Sequence, residues 1–120
     1  ILGREGVNIR AISVADTSDI STVRFVVDDP VKAKNILKAN GYSPKETDVL
    51  AVETPDHPGG LNAVLKPLKS AGINVHYLYP HLGRTSNNAI VILGVDKTET
   101  AQKVLKQNWV HTLGKEVYSI

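Results

Sequence analysis

Asp56-His57-Pro58-Gly59-Gly60-Leu61 is the stretch of this sequence best equipped to hold a small molecule. Gly59 and Gly60 have no side chains, so the backbone there can approach a ligand closely. Leu61, Val64, Leu65 and Leu68 follow at the spacing of an amphipathic helix. The glycine amides therefore sit at a helix N-terminus, where unpaired N–H donors favour an anion. The alternative is that the two glycines only turn the chain. Asp56 either caps the helix or faces a cation, and His57 is either a ligand contact or an exposed pH-sensitive group.

Other chemistry finds little support. His57, His76 and His81 are the histidines that could meet around a metal, but they form no i, i+4 helical pair and no i, i+2 strand pair, and His111 is isolated. The chain has no cysteine, which excludes disulfides, thiolate metal sites and cysteine nucleophiles and fits a reducing cytoplasm. No nucleophile elbow, phosphate loop or paired carboxylates are present, and Gly3-Arg4-Glu5-Gly6 lacks dinucleotide spacing, so neither catalysis nor a cofactor is expected. The longest apolar run, Ala89-Ile90-Val91-Ile92-Leu93, is too short to span a bilayer, so no membrane is expected. A net charge of +2, with lysines dispersed among acids, calls for no nucleic acid. At 42% hydrophobic and 22% charged, the 120 residues have the composition of an ordered globular protein.

The chain is one unit written twice. Gly6-Val7-Asn8-Ile9 returns as Gly72-Ile73-Asn74-Val75, an offset of 66 (72 − 6), and Ala33, Leu37, Lys38 and Asn40 return as Ala101, Leu105, Lys106 and Asn108, an offset of 68 (101 − 33). One loop thus differs by two residues. The copies divide at 1–48 and 49–120. The first is expected to be incomplete at its N-terminal side, since counterparts of Val49 to Lys66 would precede Ile1.

Local signals set the elements. Ile1 to Glu5 reads as a helix end capped by Gly6. Alternation predicts a strand over Ile9 to Ala15, the Asp16-Thr17-Ser18-Asp19 cluster a turn, and the β-branched Ser21 to Val27 a second strand. Asp28-Asp29-Pro30 starts a helix running to about Asn40 and ended by Gly41, and Tyr42 to Asp48 is an extended link. In the second copy a strand over Val49 to Glu53 enters the glycine turn. The helix after it ends at Gly72, with Pro67 expected to kink it. Strands over Ile73 to Tyr79 and Asn88 to Val95, a helix over Lys97 to Gln107 and a strand over Val117 to Ile120 complete the order.

Strand, helix, strand, strand, helix, strand is a ferredoxin-like βαββαβ sandwich, an α+β fold with two helices on one face of an antiparallel sheet. Right-handed crossovers make its first and third strands central and leave the second on an edge. An edge strand invites pairing. The matching edge of the other copy is the nearest partner, so two tandem copies are expected side by side in one continuous antiparallel sheet with helices on one face, the first copy lacking its first strand.

With the repeat, the strand order and the turn in place, the sequence resembles a tandem ACT-domain protein. The resemblance rests on Asp56-His57-Pro58-Gly59-Gly60-Leu61, which fits the family's acidic-x-Pro-Gly-x-Leu turn, followed by Leu65, Leu68 and Ala71-Gly72-Ile73-Asn74-Val75. The first copy joins it from Gly6-Val7-Asn8-Ile9 onward. It implies a non-catalytic regulatory, allosteric module that binds a free amino acid where paired domains meet and controls a metabolic enzyme. On that reading the ligand-binding set is Asp56, His57, Pro58, Gly59, Gly60, Leu61, Asn74 and Asn8. The glycine amides take the carboxylate, Asp56 meets the ammonium, and the Asn74 amide serves either end. Asn8 and Asn74 have an alternative in bonding local backbone at strand starts, and Tyr77 and Tyr79 in packing on a sheet face.

Two competing readings follow from the same residues. A ligand-free interaction module would dock a partner through exposed sheet edges or the helix-free face. RNA binding on an open sheet face is the other, weakened by a single Phe, a single Trp and no basic strand flanked by aromatics. Edge pairing also points to a homodimer, unless the repeat satisfies its edges internally.

Overall fold

A computed structural model describes residues 2–16, 18, 21–55, 59–84 and 88–114. β1 (Ile9–Asp16) and β2 (Ser21–Val27) form a hairpin followed by α1 (Pro30–Ala39). The second copy runs β3 (Leu50–Pro55), α2 (Asn62–Ser70), β4 (Val75–Arg84), β5 (Asn88–Val95), α3 (Thr98–Gln107) and β6 (Thr112–Leu113). All lie in one six-stranded sheet of order β2-β1-β4-β5-β3-β6, in which every pairing is antiparallel. The central placement of β3 and β5 in the second copy is the expected ferredoxin-like order. The junction between copies is β1 against β4, with Ala11 opposite His81.

The start signals work as their chemistry requires at α1. Asp29 is its N-cap, accepting from the Lys32 amide at 3.1 Å, and Pro30 occupies the first turn. α2 remains a helix through Pro67, although that residue offers no N–H to the carbonyl of Ala63, four residues back. Leu2 to Gly6 closes as the end of α2 does: Val7 N donates to Leu2 O at 2.9 Å and Ile73 N to Leu68 O at 3.0 Å. Two strand expectations change. β4 extends to Arg84, five residues past Tyr79, because it is paired on both sides, by β5 and by β1. The expected strand Val117 to Ile120 lies outside the described residues; β6, which pairs with the outer edge of β3, carried no sequence signal because two residues show no alternation.

Both sheet faces are apolar. Beneath α2 and α3, Leu50, Val52, Val64, Leu68, Leu93, Ala101 and Leu105 form one core, and Leu2, Val7, Val27 and Ala33 form a smaller one beneath α1. On the helix-free face Ala11, Ala51, Tyr79, Ile90 and Ile92 form a third, with Ile92 wholly buried. No helix among the described residues is long and apolar enough to cross a membrane.

Candidate functional site

Asp56, His57 and Pro58 lie outside the described residues, so the site is built here from Gly59, Gly60, Leu61, Asn8 and Asn74. Gly59 has φ of +83°, a left-handed backbone that an L side chain adopts only with strain, and among the described residues no atom lies within 4 Å of the position of its missing Cβ. Gly60 is buried, and its carbonyl accepts from the Ala63 amide at 3.2 Å. Leu61 is the N-cap of α2 and supplies no side-chain cap. In that respect α2 differs from α1, whose first turn Asp29 satisfies.

Sheet topology decides which asparagine lies at the same end of the sheet as this turn. Pro55, at the end of β3, is opposite Asn88, at the start of β5, so the turn that follows lies at the end of the sheet where the β4–β5 hairpin reverses. Because β1 runs antiparallel to β4 through Ala11 and His81, the start of β1, and Asn8 before it, lies at that same end. Asn74 precedes β4 and lies beyond the C-terminal end of α2, a helix of 9 residues, so it occupies the opposite end. Asn8 of the first copy, rather than Asn74, thus shares an end with Gly59, Gly60 and Leu61.

Both asparagines have equivalent structural partners. Asn8 N donates to Asp28 Oδ1 at 3.0 Å, and Asp28 N returns a bond to Asn8 O at 3.0 Å. In the second copy Asn74 N donates to Asp96 Oδ1 at 3.1 Å and Asn74 Nδ2 to Asp96 Oδ2 at 3.4 Å. These clasps tie the entry of one strand to the exit of its hairpin partner. Sequence reasoning missed Asp28 and Asp96 as partners, although the 68-residue offset between them (96 − 28) was a readable signal.

Two open depressions flank α2. One, of about 650 Å³, lies towards α3 and is bordered by Gly59, Ala63, Pro67, Val104 and Gln107. The other, of about 810 Å³, is bordered by Leu65, Lys69, Ile73, Asn74 and Val75. Asn62, Lys66 and Ser70 border both, and Asn8 borders neither.

Tyr77 and Tyr79 pack on the helix-free face, stacked with ring centroids 6.1 Å apart. Burial, reinforced by Tyr77 and partly offset by Arg24, raises the Tyr79 pKa above its ordinary value. His81 is buried beside the junction, and its Nδ1 accepts from the Gly83 amide at 2.8 Å. His76 and His111 are exposed, and His57 is outside the described residues. Among the described residues no three His, Asp or Glu side chains approach closely enough to hold a metal.

With this geometry established, the comparisons with known proteins decide the family. Residues 1–118 match the family described as ACT domain pair. The chain belongs to the ACT domain-pair family. ACT domain pairs are regulatory modules, and the tandem ferredoxin-like fold found here is theirs. Among solved structures the chain is similar to protein BT0572 from Bacteroides thetaiotaomicron, with a TM-score of 0.89 and 31% identity over 99% of this chain and 82% of that one. No curated protein matches the chain.

Proposed function

We propose that this ACT domain pair binds a free amino acid at the junction between its copies and, without chemistry of its own, transmits occupancy to a metabolic enzyme. The observation that carries the reading is that the second copy's glycine turn and the first copy's Asn8 lie at the same end of one continuous sheet. The turn brings backbone donors at the start of a helix whose N-cap, Leu61, has no side-chain oxygen, which suits a carboxylate. Asn8 adds a side-chain amide that its backbone bond to Asp28 leaves uncommitted to that contact. A ligand held by both copies stabilises one relative arrangement of them, which is what regulation requires.

A thermal-shift screen against the free amino acids tests this, since a ligand of the folded state raises Tm. One amino acid, or a small chemical group of them, is expected to give a rise that Gly60→Leu and Asn8→Ala each remove. Asn8→Ala keeps the backbone clasp to Asp28, so loss of the shift there reports the side chain alone. No rise with any amino acid sinks the proposal.

A second reading, a ligand-free interaction module, is favoured by exposed apolar side chains near the junction: Ile12, Val14 and Val23 of the first copy and Leu78 and Leu82 of the second. Among the described residues β2 is also the outermost strand on its side of the sheet. Partner binding or dimerisation that responds to Val23→Lys while no amino acid shifts Tm would establish this reading instead. The helix-free face is a poor platform for RNA, because Ile90 and Ile92 are buried there and Arg24 is already engaged with Tyr77.

A further inference from the structure

Among the described residues the junction between the copies shows the backbone register pair Ala11 with His81, and side chains add to the alignment between them. On the helix-free face they do so in an unusual way. Arg24 is on β2, opposite Ser13 of β1, yet its guanidinium lies 4.1 Å from the centroid of the Tyr77 ring on β4. It therefore reaches over the intervening strand into the other copy. Ser13 and Ala15, which the register of β1 places along that path, are small and leave it open. On the far side the Tyr77 ring lies across Gly94 of β5, in the space that a Cβ at position 94 would need. Any other residue at 94 would displace the ring. A glycine in the interior of a strand weakens the strand, so its presence here marks a close approach.

The corresponding positions of the two hairpins show that this is a built asymmetry. Tyr77 pairs with Gly94 where Ala11 pairs with Val26, and Tyr79 pairs with Ile92 where Ser13 pairs with Arg24. Each strand thus offers what the other lacks: small residues on β1, rings on β4, a cation on β2 and a bare backbone on β5.

We infer that Arg24, Tyr77 and Gly94 form a latch that fixes how the two ACT copies sit against each other and so sets the affinity of the junction site. The second half rests on the amino-acid reading above; the first does not. A planar guanidinium stacked on a ring resists sliding in a way that a lysine ammonium does not. The latch is the element whose engagement a ligand spanning both copies would favour.

The test separates the two halves. The chain has no cysteine, so Asn35→Cys on α1 and Gln102→Cys on α3, both exposed, accept spin labels whose distance distribution reports the arrangement of the copies. A narrow distribution is expected for the parent chain. Arg24→Ala, Tyr77→Leu and Gly94→Ala are expected to broaden it, whereas Tyr77→Phe, which keeps the ring face, is expected to preserve it. Circular dichroism on each variant separates broadening from unfolding. A distribution unchanged by Arg24→Ala, or already broad in the parent, overturns the latch. With an amino acid found in the screen, Arg24→Ala is expected to weaken Kd roughly five-fold and Tyr77→Phe to leave it near the parent value. An unchanged Kd with a broadened distribution overturns the coupling and keeps the latch. Absence of any ligand removes the junction-site reading while the distances still decide the latch.

Discussion

The β1–β2 and β4–β5 hairpins share a backbone and differ in what they place on it. Both strands that meet at the junction carry a register shift just after they begin, between Ile9 and Ala11 and between Val75 and Tyr77. Both are closed by an Asn–Asp clasp. Both following helices end with an asparagine whose side chain bonds a carbonyl in the last turn, Asn40 to Ile36 and Asn108 to Val104, each at 2.8 Å. The polar bonds that shape the unit are repeated, while the side chains at the junction and at the helix starts are not. Two identical copies would meet in a symmetric contact with no reason to favour one site over another. Divergence of Ala11 from Tyr77 and of Val26 from Gly94 makes the contact one-sided.

The largest effect expected from that comparison is in the cores. Leu68, on α2, is fully buried in the core that α2 and α3 form with the sheet, whereas its counterpart Leu2, at an offset of 66 (68 − 2), closes a smaller cluster under α1. Leu68→Ala is expected to cost about 4 kcal/mol in urea unfolding, and Leu2→Ala about 2 kcal/mol, because the smaller cluster can collapse into the space. Equal costs would show that the two copies fold on one undivided core and break the distinction.

How much of this was legible beforehand follows from the range of each interaction. Ser21–Val27 and Asn88–Val95 were legible to the residue because β-branched runs between turn residues are local signals. The pairing of copies was legible because the unit's order leaves one edge open. The extension of β4 was not, since Pro80 and Gly83 argue against a strand and only pairing with β1 and β5 overrides them. In the site, the glycine turn was legible, but that Asn8 shares its end of the sheet depends on antiparallel pairing across the junction, which no spacing rule encodes. Arg24 was illegible for the same reason: its partner lies two strands away and 53 residues along (77 − 24).

A smaller effect, and one that sharpens the comparison, is expected where the two C-terminal helix ends diverge. Gly41 and Trp109 follow their asparagines at the same place in the two copies, and both have positive φ, +86° and +64°. Glycine adopts that conformation freely; tryptophan does so at a cost. Trp109 is 96% exposed, so packing returns little of it. Trp109→Gly is therefore expected to raise stability by about 1 kcal/mol, seen as a higher Tm, and Gly41→Trp to lower it by a similar amount. A loss of stability in Trp109→Gly would instead show that the ring makes a contact in the assembled protein, and would redirect attention from strain to interaction.

The smallest effect is expected at alkaline pH and belongs to the second copy alone, because Ser13 stands where Tyr79 does. Burial first, and the nearby Tyr77 second, raise the folded pKa of Tyr79 above the model-compound value of 10.0, while Arg24 pulls it back in part. Below that value both the folded and the unfolded chain hold the proton, and Tyr79 contributes no pH dependence. As pH rises through it the unfolded chain loses the proton first, so the unfolded state gains and stability falls until the folded pKa is passed. Tyr79→Phe is expected to flatten the decline in Tm that the parent shows from about pH 10 upward. Arg24→Ala removes the influence that lowers the pKa, so it should move the tyrosinate absorbance of this residue to still higher pH. If Arg24→Ala leaves that titration where it was, the guanidinium does not sit over the ring pair in solution, and the asymmetry between the two hairpins loses its charged member.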